Sequence, residues 1–320
     1  MNPGRRLTSI LMLSLAALAT MPAHAFPDKP VRLVCGYPAG GATDLVARTL
    51  SGYLSRKWGQ QAIVDTRPGA SGMIAAEQVV RASPDGYTLL VAYTPEVLLN
   101  KLVFKSMRYD PQADLTPVIL AAQAPLVLAA GPKSGVSSMP ELRAATGRPL
   151  TYASPGVGGQ QHIAGELLQR LSGLNLTHVP YKGTGPAVTD LVGGQIDLFF
   201  ATTPPLLAQI QAGKLKPLMV AGPGREKLLP NVPTAAEVGL PRLQLTNWFG
   251  VYAPKGMPPA LLERLAGDIA EALADSAVVQ ALEGQGLTVT PLRGAAFASF
   301  IEAEMQKYKG FVSETGISAE

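Results

Sequence analysis

A chain of 320 residues with 47% hydrophobic and only 16% charged residues can bury large cores, and its length suits two domains better than one. The net charge of +4 comes without a Lys/Arg block and with 6% aromatic residues, which excludes an extended nucleic-acid-binding face. Cys35 is the single cysteine, so no intramolecular disulfide can form, and at the end of an apolar run it reads as a small buried hydrophobe rather than a nucleophile.

At the N-terminus, Arg5 and Arg6 precede an apolar run over 10–21, and Ala23-His24-Ala25 has the small-x-small form of a signal-peptidase site. Residues 1–25 therefore read as a cleavable secretory signal, cut after Ala25, and its loss lowers the net charge by two. The run is too short for a membrane span, and no later segment reaches the ~18 apolar residues a span needs. The mature chain is expected in the periplasm, as a monomer that does not span the membrane.

Val31, Leu33 and Val34 predict a strand, 36–41 a glycine-rich turn, and Val46, Leu50 and Leu54 the inner face of a helix starting near Thr43 or Asp44. Bare amides of Gly40 and Gly41, with the unpaired N–H groups of a helix start, form a cradle for a carboxylate or phosphate. The same residues also make a plain tight connection capped by Thr43 or Asp44, and the loop alone fits both. The unit recurs, with a strand over 61–64, a loop over 66–72 and a helix over 74–81. Ser83-Pro84-Asp85-Gly86 predicts a turn before a strand over 87–92, and Tyr93-Thr94-Pro95 caps a short helix. This alternation predicts a mostly parallel sheet covered on both faces.

Two apolar strands, 118–122 and 126–130, leave no room for a helix between them and mark a crossover into a second lobe. There a helix over 140–145 is followed by a strand over 150–153, a glycine-rich loop over 154–159 and a helix over 161–171, mirroring the opening unit. A strand over 177–181 leads to the loop 182–185, with Pro186 suited to the first helical position. Strands over 196–200 and 218–221 flank a helix over 206–212. The run 247–252 is the return crossover, and amphipathic helices over 259–273, 276–285 and 294–309 wrap the first lobe. The expected division is 26–124 with 249–320 for lobe 1 and 125–248 for lobe 2.

Four blocks, in order, carry a family likeness: Pro38-Ala39-Gly40-Gly41-Ala42-Thr43-Asp44, Arg67-Pro68-Gly69-Ala70, Ser83-Pro84-Asp85-Gly86-Tyr87, and His178-Val179-Pro180-Tyr181-Lys182-Gly183-Thr184-Gly185 continuing to Asp197. The mature chain resembles, over nearly its whole length, the Bug proteins, also called the tripartite tricarboxylate transporter receptor or TctC family of periplasmic solute-binding proteins. The resemblance implies an α/β, two-lobed periplasmic binding protein (Venus flytrap) fold with two crossovers and C-terminal helices on lobe 1. It also implies loops from both lobes gripping a small organic anion. Carried over residue by residue, the ligand-binding positions are Tyr37, Pro38, Ala39, Gly40, Gly41 and Thr43 from lobe 1. From lobe 2 come Ser154, Gly158, Gly159, Gln160, Gln161, His162, Tyr181, Lys182 and Thr202.

The chain departs from its relatives at Gln160 and Gln161, where small hydroxyl residues are frequent, and at Ala201-Thr202, where an Asp-Asn pair is common. Thr66 replaces a frequent asparagine. Without the aspartate the cleft is less negative, which suits a more anionic ligand or one with fewer amine groups. The expected ligand is a small mono-, di- or tricarboxylate, aromatic bodies included. Two outputs stay open, delivery to a tripartite tricarboxylate-type membrane transporter and sensing for a two-component signalling protein. An enzyme is not expected. The mature chain offers only His162 and His178 as histidines, without metal-ligand spacing, and it has neither a G-x-S-x-G elbow nor a full dinucleotide fingerprint, so neither metal nor cofactor is anticipated. His178, inside a strand, reads as a structural histidine, while Lys182 and Arg67 can each reach the cleft or face solvent.

Overall fold

The computed structural model describes residues 26–145 and 147–319, so the signal segment and its cleavage site lie outside the described residues. Phe26 packs against Trp58 and Tyr87, with ring centroids 6.2 and 4.9 Å away. The chain entry is therefore seated on the first lobe.

Two sheets organise the chain. In the first, β1 (Val31–Cys35), β2 (Ala62–Thr66) and β3 (Thr88–Tyr93) are parallel, and β4 (Leu115–Pro125), β10 (Thr246–Pro254) and β11 (Thr288–Arg293) complete the order β11-β4-β10-β3-β1-β2 through antiparallel pairs. In the second, β5 (Val127–Ala130), β6 (Leu150–Ser154), β7 (Leu176–Pro180), β8 (Leu198–Ala201) and β9 (Lys216–Val220) run in the order β7-β6-β8-β5-β9. Here too β6, β7 and β8 are parallel while β5 runs against β8 and β9. The expected mostly parallel sheet is thus corrected to two mixed sheets. The βαβ units supply parallel strands, but β4 and β10 carry the chain out and back and so meet their neighbours head to tail.

Leu126 alone separates β4 from β5. Its N–H donates to Leu245 O at 3.1 Å, and its carbonyl accepts from Ala221 N–H at 2.7 Å, so the outgoing and returning segments lie side by side. Trp248, fully buried on β10, donates from Nε1 to Glu304 on the C-terminal helix at 3.1 Å.

Helices α1 (Ala42–Trp58) and α2 (Met73–Val80) follow the first two strands. In the second lobe lie α3 (Met139–Ala144), α4 (Gln160–Ser172), α5 (Thr184–Val192) and α6 (Thr203–Gln211). The chain closes with α7 (Pro259–Ala274), α8 (Ser276–Glu283) and α9 (Gly294–Thr315). Helix α5 starts at Thr184, so Pro186 is its third residue rather than its first. The short helix after β3 is a π-helical turn, Pro95–Leu99, running into Asn100–Val103. Strand β11 was not anticipated, because Thr288–Arg293 pairs only along an edge and has no buried residue, which leaves it no apolar alternation.

The family block ending at Asp197 has a structural cause. Asp197 is fully buried and accepts from Thr151 N–H and Oγ1, both at 2.8 Å, and from Arg148 Nη1 at 3.0 Å. Burial pushes its carboxyl up, but the Arg148 and Thr151 donors outweigh that and hold it below the usual carboxylate range. Asp197→Ala leaves the Thr151 amide unpaired and is expected to cost about 3 kcal/mol of unfolding free energy at neutral pH. Urea denaturation measures it, and the difference from wild type should shrink in acid, as pH falls through the folded-state pKa of Asp197.

Candidate functional site

Loops of the two lobes meet over a small inner cavity of about 20 Å³. Tyr37, Pro38, Gly41, Ala42, Thr43, Tyr93 and Phe249 line it from the first lobe and Gln161, Thr184, Ala201 and Thr202 from the second, with Asn247 on the returning crossover strand. An outer vestibule of about 440 Å³ shares the Tyr37-Pro38 wall and runs along the 69–72, 155–157 and 180–183 loops.

The inner wall is built from helix starts. Gly41 caps α1, Gly159 caps α4, Gly183 caps α5 and Thr202 caps α6, and none of the four caps receives a side-chain hydrogen bond. Each helix therefore turns unpaired N–H groups and a partial positive charge toward the same space. Gly40, at φ +89°, sets the turn that aims the α1 amides. Asp44, in the first turn of α1, is drawn aside: Arg48 Nε donates to it at 2.8 and 3.0 Å, and Gly40 N–H at 3.2 Å. Among the described residues no Asp, Glu, Lys, Arg or His lines the inner cavity. Its two phenols stay protonated, since burial and then the neighbouring Glu96 charge push the Tyr37 and Tyr93 hydroxyls upward.

Of the residues singled out from sequence, Tyr37, Pro38, Gly41, Thr43, Gln161 and Thr202 meet at the inner cavity, while Tyr181 and Lys182 line the vestibule. Tyr181 Oη donates to Asp190 at 2.8 Å, and burial followed by that carboxylate pushes the phenol to about 12. Ala39 and Gly40 belong to the cradle loop without lining either cavity. Gln160 turns away: fully buried, it donates to Thr246 O at 2.9 Å and to Tyr308 on α9. Ser154, Gly158, Gly159 and His162 form the support of the α4 start. Gly158 N–H donates to His162 Nδ1 at 3.1 Å, and the His162 and His178 rings stack 3.7 Å apart. His178 Nε2 lies 2.6 Å from Ser154 Oγ. Burial lowers both imidazoles to about 4, so the pair is neutral and the loop rests on uncharged rings. Arg67 pairs with Asp65 at 2.9 Å and lines neither cavity.

Ala42, Tyr93, Thr184, Phe249 and Asn247 were not singled out, although Ala42 and Thr184 belong to loops that were. Asn247 had a signal, an amide opening an otherwise apolar strand; Tyr93 and Phe249 need the tertiary fold. Contacts also join the lobes directly. Ser71 Oγ donates to Val157 O at 3.1 Å, and a Cβ on Gly183 would lie 2.8 Å from Pro38 Cδ. Among the described residues no group of three His, Cys, Asp or Glu could hold a metal ion, and no helix is long and apolar enough to cross a membrane.

Two mixed α/β lobes joined by paired crossover strands define a periplasmic binding protein. The chain belongs to the tripartite tricarboxylate transporter receptor (TctC) family, whose profile matches residues 46–317. It is 36% identical to protein BugT of Bordetella pertussis over 322 residues, covering 99% of each chain. Among solved structures it resembles R. palustris Rpa4515 with adipate, at 32% identity and TM-score 0.88 over 92% of this chain and 99% of that one. It also resembles MatC (Rpa3494) from Rhodopseudomonas palustris with bound malate, at 31% identity and TM-score 0.83 over 90% and 100%.

Proposed function

We propose that this protein is a periplasmic receptor that captures a small organic carboxylate between its lobes and delivers it to a tripartite tricarboxylate-type membrane transporter. The observation that carries this reading is the convergence of four helix starts without side-chain caps on one cavity whose wall holds no ionised side chain. Such a wall binds a carboxylate through backbone amides and helix dipoles, and it offers no carboxylate to compensate an amine. The relatives solved with adipate and malate support the same ligand class.

At about 20 Å³ the inner cavity holds roughly one water-sized group. The ligand body therefore enters when the lobes part, with residues 26–124 and 249–320 moving against 125–248 about the paired crossovers. Cleavage after Ala25 would release the chain with Phe26 as its first residue, and intact mass of the periplasmic protein tests it.

A carboxylate at about a hundred times its Kd should stabilise the protein by roughly 2.7 kcal/mol. Native mass spectrometry of freshly purified protein, followed by a thermal-shift panel of carboxylates, amino acids, sugars and phosphates, checks the reading. Shifts with sugars or amines and none with carboxylates would overturn it. Delivery is tested by uptake: cells lacking the receptor should fail to accumulate the carboxylate it binds, and unchanged uptake would count against a transport role.

A further inference from the structure

Two amide side chains on the inner wall stand out from every other polar group there. Gln161, at the start of α4, and Asn247, on β10, are each 3% exposed, yet Gln161 Oε1 and Asn247 Oδ1 accept no hydrogen bond. A buried polar atom without a partner is costly, so two of them on residues that line one cavity call for a partner supplied from outside the chain. Turning either amide over exchanges an orphan acceptor for an orphan donor and leaves the demand in place.

Resting on the carboxylate reading above, we infer that Gln161 and Asn247 select a carboxylate bearing an uncharged hydroxyl or carboxamide beside its anionic end. A hydroxyl or carboxamide both donates and accepts, and so satisfies an amide in either orientation. An ammonium only donates, and it would enter a wall on which no acidic side chain balances its charge. A second carboxylate only accepts, and a bare methylene leaves both amides unpaired. The neighbouring Thr202, 4% exposed, adds a hydroxyl to the same polar side. The small cavity brings the α1 cradle and the two amides onto one ligand end, so the extra group sits close to the carboxylate.

The test is a matched series measured by calorimetry on the mature protein: succinate, malate and aspartate at four carbons, adipate, 2-hydroxyadipate and 2-aminoadipate at six, and malonate with malonamate for the carboxamide. The hydroxyl or carboxamide member of one length should bind about ten- to a hundredfold more tightly than its unsubstituted and amino counterparts, the usual range for one lost buried hydrogen-bond partner. Gln161→Leu and Asn247→Leu, which remove the amides without orphaning a protein partner, should bring the ratio of the Kd values for the substituted and unsubstituted acids close to one. Equal affinity for the substituted and unsubstituted acids in wild type overturns the selection by these amides and leaves the carboxylate reading standing. Failure of every probe to bind the folded protein overturns the carboxylate reading and this inference with it.

Discussion

Gly183→Val should raise the Kd for the captured carboxylate by about a hundredfold, on the scale of 3 kcal/mol set against closure. Gly183 caps α5 at φ +123°, a conformation that strains any L side chain by about 1–3 kcal/mol. Its larger effect is across the cleft. A Cβ there meets Pro38 Cδ at 2.8 Å and Cγ at 2.9 Å, and Pro38 sits on the cradle loop of the other lobe. When the lobes part the clash disappears, so the substitution penalises the closed state far more than the open one, and affinity falls by the shift in that equilibrium. Gly135→Val is the matched control, with φ +70° and nothing within 4 Å of its added Cβ: it should lower thermal stability slightly and leave Kd unchanged. Small-angle scattering with saturating ligand should show wild type compacting and Gly183→Val remaining extended. A normal Kd in Gly183→Val would remove this contact from the closing motion.

Much of this cleft was legible in the sequence because its parts are local. A strand ending in glycines before an apolar helical stripe dictates a helix start beside a flexible turn, and that held for Tyr37 to Thr43, for the 154–159 loop and for the 181–184 loop. The crossovers were legible for the same reason, since three residues between two apolar runs cannot hold a helix. What stayed hidden depends on partners far away in the chain. Gln160 and Gln161 are adjacent and chemically identical, and only the helical phase of α4 sends one to Tyr308 and the other to the cavity. His162 and His178 lie in different elements, so nothing in their spacing announces a stacked neutral pair beneath the loop. The mixed direction of the sheets was equally hidden, because apolar runs carry no mark of strand polarity.

The family blocks divide along the same line. Asp197 closes one of them and braces Thr151 and Arg148 away from the cavity, and Asp85 closes a turn by accepting from Tyr87 N–H at 3.1 Å. The blocks at 38–44 and 178–185 border the cavities as well, so family recognition draws on both scaffold and cleft, whereas Gln161, Ala201 and Asn247 border the inner cavity outside any block.

The stability of Glu96→Gln relative to wild type should rise by several kcal/mol, on the order of 4, as pH goes from about 4.5 to about 8. Glu96 is fully buried on the π-helical turn behind the cradle wall. Its Oε1 accepts from Tyr93 N–H at 3.1 Å and its Oε2 from Tyr37 Oη at 3.2 Å, and both tyrosines line the inner cavity. Burial raises its carboxyl from 4.5 to about 8, with the backbone donors and Tyr37 only partly opposing, so the folded protein keeps a proton that the unfolded chain releases above 4.5. The stabilisation is complete below the unfolded pKa and is lost as pH climbs through the folded one. The neutral His162 and His178 act in the opposite sense below about 6.5, which is why the comparison must be the difference between wild type and Glu96→Gln at each pH. Glutamine keeps the shape and an acceptor for Tyr93 N–H but has no charge to expose, so the variant should match wild type near pH 5 and exceed it near pH 8 in urea denaturation. Ionisation of Glu96 in the folded protein places a negative charge one tyrosine behind the anion cradle, and carboxylate affinity should weaken in wild type alone as pH rises through about 8. Parallel stability curves for the two proteins would show that Glu96 is ionised throughout and that Tyr37 is held by a carboxylate, not by a carboxylic acid.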